Sequence, residues 1–108
     1  MRMETIKSRR EFESVFSGGK RANGRLVRIT VLKDDEGGHG KVAFVAPKRL
    51  GNAVYRNRCK RVLREAARQC GMPRESHKII LFATRDTHDS KTDEVAQAVS
   101  SLLSRLGV

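Results

Sequence analysis

Residues 48–68 read KRLGNAVYRNRCKRVLREAAR. Eight of them are basic (Lys48, Arg49, Arg56, Arg58, Lys60, Arg61, Arg64 and Arg68) and one, Glu65, is acidic. Asn52 is of the type that caps a helix start, and Gly71 and Pro73 are of the types that end one. The spacing therefore predicts a helix over about 53–70. On a helical wheel, Tyr55, Cys59, Val62, Leu63, Ala66 and Cys70 fall within about 100° of arc. Arg56, Asn57, Lys60, Arg61, Arg64 and Arg68 fill the other side, and Arg58 lies beside the apolar stripe. A helix divided in this way seats one face in a core and turns a cationic face outward. A merely solvated face would mix Glu among the bases. Here Arg56/Lys60, Lys60/Arg64 and Arg64/Arg68 are like charges at i,i+4, each costing about 0.2–0.5 kcal/mol. A polyanion relieves that repulsion, and the excess of Arg over Lys suits bidentate phosphate binding. Asn57, set among arginines, has the groups to read a base edge or a ribose hydroxyl.

The rest of the chain shares this charge unevenly. Its 108 residues carry 23 Lys and Arg against 12 Asp and Glu, a formal net charge of +11. Residues 1–28 hold +5 and residues 48–68 hold +7, whereas 29–47 hold −1 and 69–108 hold zero. Charge placed for solubility alone would be spread. Charge in two blocks points to a partner: nucleic acid, an anionic membrane or an acidic protein. The length suits one domain with one modest core, and no apolar run approaches the ~18–20 residues of a membrane span. Cys59 and Cys70 would lie roughly 16 Å apart on one helix, too far for a disulfide. With no signal peptide in view, this favours a reducing cytosol.

Ahead of the basic helix, Ser8-Arg9-Arg10-Glu11 fits a capping box. Phe12, Val15 and Phe16 follow at helical spacing, and Gly18-Gly19 ends that short helix. Leu26 to Leu32 is rich in β-branched residues and reads as a strand, with a short strand around 20–23 before it. Asp34 to Gly40 reads as a turn whose three glycines suit positive φ. Lys41 to Ala46 is then expected to pair back against the preceding strand, and Pro47 ends it. After the long helix, Lys78 to Thr84 is nearly continuous in apolar residues, as in a strand covered on both faces. Ser90 is placed to cap a last helix striped by Val95, Val99, Leu102, Leu103 and Leu106. The order predicts an α+β fold: a small mixed, mostly antiparallel sheet packed with three helices. The strand–helix–strand step requires one parallel pair.

Catalytic patterns are thin. His39, His77 and His88 are scattered near turns. An acid–base pair of His39 and His77 would suit phosphodiester cleavage, but nothing in the sequence brings the two together. No Cys/His group has zinc spacing. Asp34-Asp35-Glu36 reads as a solvated turn rather than a cation site, and no glycine loop has a nucleotide-binding pattern. Phe12 and Phe16, beside Arg9, Arg10, Lys20, Arg21, Arg25 and Arg28, read either as core or as a wall for stacking unpaired bases. These features describe a binder without chemistry of its own.

Lys48 to Glu65 closely resembles the signature of the bacterial ribonuclease P protein subunit, including its central Arg56-Asn57-Arg58. The length, basicity, early Phe12/Phe16 helix and element order agree with that family. The resemblance implies a left-handed strand–helix–strand crossover. It implies an accessory subunit of an endoribonuclease that removes the 5′ leader from precursor tRNA, in which an RNA subunit holds Mg²⁺ and performs the hydrolysis. It assigns Arg56, Asn57, Arg58, Lys60, Arg61 and Arg64, with Lys48, Arg49 and Arg68 beside them, to the face against the catalytic RNA. It assigns Phe12, Phe16 and Arg28, with Arg9 and Lys20, to a cleft for the single-stranded leader. Members of that family often carry an aromatic in the first long strand. Here the residues are Leu26 to Thr30, so less base stacking is expected from this strand, with Arg28 able to supply part of it. No membrane or small-molecule partner is implied. A plain RNA-binding module, such as a ribosomal protein, shares the charge but does not require the Arg-Asn-Arg run.

Overall fold

The structure, a computed structural model, describes residues 4–34 and 37–108. The chain runs α1 (Arg9–Gly18), β1 (Lys20–Asn23), β2 (Val27–Lys33), β3 (Lys41–Val45), a 3-10 turn at Lys48–Leu50, α2 (Ala53–Gln69), β4 (His77–Ala83) and α3 (Thr92–Arg105). The α+β class with three helices forms as expected. The strand order is β1-β2-β4-β3, with only β3 and β4 parallel.

That order corrects one expectation. β3 does not pair back on β2, because β4 lies between them. Ile79, Ile80 and Leu81 are all fully buried. A strand apolar on both faces gains most from a central position, with a neighbour along each edge and cover above and below. β3 is left at the side of the sheet, where residues 4–6 run along it. Thr5 bridges Val42 in parallel, the Ile6 N–H donates to the Val42 carbonyl at 2.8 Å, and the Val42 N–H donates to the Glu4 carbonyl at 3.0 Å.

Alternation along the strands sorts the two faces of the sheet. Val27, Ile29, Val31, Val42, Ile79 and Leu81 face the larger core. There they meet Cys59, Val62, Leu63 and Ala66 of α2 and Val95, Val99, Leu102 and Leu103 of α3. Leu63 has no exposed surface, so truncating it to Ala would cost about 2–5 kcal/mol. The opposite face carries a smaller cluster of Val15, Ala43 and Ile80, with Ile6, Phe12, Leu32, Val45 and Phe82 packed around it. Part of this second face is left uncovered by α1.

The caps follow the sequence in two helices of three. The Ser8 hydroxyl accepts from the Glu11 N–H at 3.3 Å, and Asn52 Oδ1 accepts from the Tyr55 N–H at 2.9 Å. Glu11 does not close a capping box. Its carboxylate is drawn instead to Lys41 and Lys78 on the sheet. Ser90 does not cap α3, because its hydroxyl donates to the Asp86 carbonyl at 2.7 Å and closes the preceding turn. Lys91 takes the cap position without a side-chain bond, and Asp93 and Glu94 supply first-turn charge that suits the helix dipole. The turn after β2 is described except for Asp35 and Glu36. Only Gly37 of its three glycines has positive φ, at 69°. Gly40 serves a close approach, since a Cβ there would collide with the Arg74 backbone.

Candidate nucleic-acid interface

The cationic face forms because α2 is held by its apolar side. Cys59, Val62, Leu63, Ala66 and Ala67 are buried, whereas Asn57, Arg58, Arg61, Arg64 and Arg68 are exposed. Arg56 and Lys60 are half-buried at the margin. The two arginines of the Arg-Asn-Arg run are tethered. Arg56 Nε donates to the Ala46 carbonyl and Arg58 Nε to the His88 carbonyl, each at 3.3 Å. One donor of each fork is thus committed to backbone, which restrains the side chain before any ligand arrives. The anchor for Arg58 is itself fixed. The His88 ring stacks on Tyr55 with centroids 4.0 Å apart and planes 3° from parallel. The single acid of the segment, Glu65, pairs with Arg68 at 2.9 Å. This exposed i,i+3 pair is weak and leaves the face cationic.

The second surface is a cleft of about 370 Å³ beside α1, on the sheet face opposite α2 and α3. Phe16, Arg21, Asn23, Arg28, Thr30, Pro47, Arg49 and Phe82 line it. Strand register explains the set. Arg21 stands opposite Thr30, Asn23 opposite Arg28, and Arg28 opposite Phe82, so their side chains share one face. Phe12, Phe16 and Phe82 form an aromatic cluster. Phe12 and Phe16 stack at 6.4 Å and 9°, and Phe82 meets them edge-on at 6.5 and 5.8 Å. Phe16 is 40% exposed. The Arg21 guanidinium lies 4.2 Å from its ring centroid, and Arg21 Nη2 donates to the Phe16 carbonyl at 2.8 Å. A base entering here meets a cation-capped ring rather than a bare one.

Two contacts set α1 at the height that makes the cleft. Glu11 lies 3.3 Å from Lys41 Nζ and 3.2 Å from Lys78 Nζ, on neighbouring residues of β3 and β4. Burial pushes its carboxyl up, but the hydrogen bonds and charges of Lys78 and Lys41 outweigh this and hold it below the ordinary value. At the other end, Gly19 lets the helix close on β2. A Cβ there would lie 2.7 Å from the Val15 carbonyl oxygen and 2.8 Å from Thr30 Cγ2.

The structure redistributes the residues expected in the cleft. Phe16 and Arg28 line it. Phe12 sits behind Phe16, half-buried in the smaller core. Lys20 stands opposite Val31 and so projects from the other sheet face. Arg9 pairs with Glu13 at 3.3 Å on the exposed side of α1. Arg49, expected with α2, lies at the cleft beside Pro47, while Lys48 is exposed in the same 3-10 turn. Sequence reasoning named Arg21 only among the bases near Phe16, without assigning it to the cleft, and missed Asn23 and Phe82. The available signal was parity, since Phe82 is two residues from Ile80 and therefore shares its face.

Groups able to do chemistry stand elsewhere. Neither His39 nor His77 lines the cleft, and His77 Nδ1 is 2.9 Å from the Glu75 carbonyl. Burial pushes the Cys59 and Cys70 thiols up, which disfavours the thiolate form, and both cysteines are free. Among the described residues, no three His, Cys, Asp or Glu side chains are grouped to hold a metal ion, and no helix is long and apolar enough to cross a membrane.

The family model for Ribonuclease P matches residues 1–107. The chain belongs to the ribonuclease P protein family. Its match with the ribonuclease P protein component of Symbiobacterium thermophilum is 38% identical over 104 residues, covering 95% of this chain and 90% of the relative. That of Clostridium novyi is 29% identical over 107 residues, covering 97% and 95%. The fold of the ribonuclease P family is shared as well. The Staphylococcus aureus RNase P protein superposes with a TM-score of 0.79 at 24% identity, covering 97% of this chain and 96% of that one. The Thermotoga maritima RNase P protein gives 0.77 at 22%, covering 94% and 96%.

Proposed function

We propose that this chain is the accessory protein subunit of a ribonuclease P ribonucleoprotein, the endoribonuclease that removes the 5′ leader of precursor tRNA in the cytoplasm. The observation that carries the reading is the pairing, in one member of this family, of a cationic helix face with a separate aromatic and basic cleft. The first suits a folded RNA, the second an unpaired strand.

The division of labour follows from the side chains. Arg56, Asn57, Arg58, Lys60, Arg61, Arg64 and Arg68 neutralise phosphates of the catalytic RNA, lowering the repulsion that otherwise demands Mg²⁺. Phe16 with Arg21, Arg28 and Arg49 holds leader nucleotides by stacking and phosphate contact, which separates precursor from product. Mg²⁺ and the hydrolytic step belong to the RNA subunit. Both surfaces of this chain offer guanidinium, ammonium, amide and aromatic groups, a poor donor set for a hard cation.

The test is cleavage of precursor tRNA by a bacterial catalytic RNA at low Mg²⁺, with and without this protein. Stimulation is expected. A folded protein that leaves the rate unchanged would refute the reading, and cleavage by the protein alone would replace it with a nuclease.

A further inference from the structure

A second depression runs along the β3 side of the molecule, between the N-terminal half of α1 and the C-terminal half of α2. Lys7 and Arg10 form one wall, Arg64 and Arg68 the other, and Lys41 and Lys78 line it between them. Its volume is about 1610 Å³. Pockets for small ligands span roughly 300–1,000 Å³, so this space suits part of a polymer. The six bases face two carboxylates, Glu4 and Glu11. Glu11 is shared between Lys41 and Lys78, one charge against two. Lys7, Arg10 and Arg64 have no ion pair among the described residues.

We infer that this groove is a second docking surface for the phosphate backbone of the catalytic RNA, an inference that rests on the accessory-subunit reading above. Continuity selects that RNA. Arg64 and Arg68 belong at once to the exposed face of α2 and to the groove wall, so one strand can pass from the helix onto Lys41 and Lys78. The leader is poorly matched. Its cleft lies at the other half of α1, where Phe16 stands, whereas the groove offers only half-buried Phe44, with the Arg64 guanidinium 5.5 Å from its ring. Such a surface fits backbone contact, which positions an RNA, rather than stacking of splayed bases. A folded acidic protein would need an apolar centre to the interface, and Phe44 and buried Met72 do not provide one.

The test compares salt dependence of binding to the catalytic RNA for wild type, Lys7→Ala/Arg10→Ala, Arg58→Ala and Arg105→Ala. The double variant removes two exposed bases from the groove without touching α2. Its slope of log affinity against log salt should fall by about 2, close to 0.9 per lost phosphate contact. Arg105→Ala, at the end of α3, should leave the slope at the wild-type value. An unchanged slope in the double variant, with a reduced one in Arg58→Ala, would overturn the groove and spare the reading it rests on. An effect seen only when precursor tRNA is present would assign the groove to the substrate and overturn the proposal. Failure of the wild-type protein to bind the catalytic RNA would overturn both.

Discussion

Replacing Phe16 by Leu isolates the aromatic role of the cleft. The side chain has three ring partners: Phe12 at 6.4 Å, Phe82 at 5.8 Å and the Arg21 guanidinium at 4.2 Å. Aromatic pairs contribute about 0.5–1.5 kcal/mol beyond area, and an exposed cation–π contact about 0.5–1 kcal/mol. Leucine keeps most of the apolar contact on the sheet side, and the ring is 40% exposed, so the lower ends apply. The variant should lose about 1–2 kcal/mol of stability, or roughly 5–15 °C in Tm for a chain of this size. It should remain folded at room temperature. Stacking on an aromatic contributes about 1–3 kcal/mol per base, so affinity for precursor tRNA should fall by about 5- to 150-fold in the reconstituted holoenzyme. Affinity for leaderless tRNA should not change. The assay is binding of both substrates to wild-type and variant holoenzymes, with thermal unfolding of the free proteins alongside. Equal weakening for both substrates would refute the cleft assignment, and unaltered precursor affinity in a folded variant would show that Phe16 serves only the core.

Three further outcomes are expected. Glu11 has a folded-state pKa below its unfolded value, so the stability it adds is present above the ordinary carboxylate range and is lost as pH falls through the lowered folded value. Glu11→Gln should flatten that acid limb in pH-dependent unfolding; a limb identical to wild type would remove the two-lysine clamp from the account. Gly19→Ala forces a Cβ to within 3 Å of three atoms on α1 and β2 and should destabilise by about 1–3 kcal/mol in denaturant unfolding. Full stability there would mean that α1 moves away at little cost. Arg58→Ala should weaken binding to the catalytic RNA and lower its salt slope by about 1, with little effect on discrimination between precursor and product. A variant with the wild-type slope would take Arg58 out of the RNA contact.

How far the sequence could be read depended on how local each feature is. α2 was legible throughout, since Asn52, the apolar stripe and Gly71 all act within one helix. Its outward face followed from the same periodicity. Strand pairing was not. The expected pairing of β2 with β3 rested on sequence adjacency, whereas the sheet is decided by Ile79, Ile80 and Leu81, whose burial is satisfied only between two other strands. The cleft failed in the same way. Lys20 and Arg21 differ by one position, and one residue of register moves a side chain to the other face. Composition marked the segment as basic, but only pairing with Thr30 and Val31 shows which of the two bases reaches Phe16. Phe82 was hidden because a doubly covered strand reads as uniformly apolar.

The central position of β4 has a consequence for the order in which the molecule can be made. Its pairing partners β2 and β3 are synthesised well before it, and in the finished sheet they do not pair with each other. A chain still short of residue 77 carries the whole of its formal excess charge, +11, together with two strands that each lack the neighbour β4 supplies. The sheet closes only through contacts about 37–56 residues apart in sequence, the kind that form late because loop closure precedes any gain from pairing. Truncation before β4 should then give an aggregating polycation rather than a smaller RNA binder. The C-terminal third, which carries no net charge, thus decides whether the cationic part can fold at all.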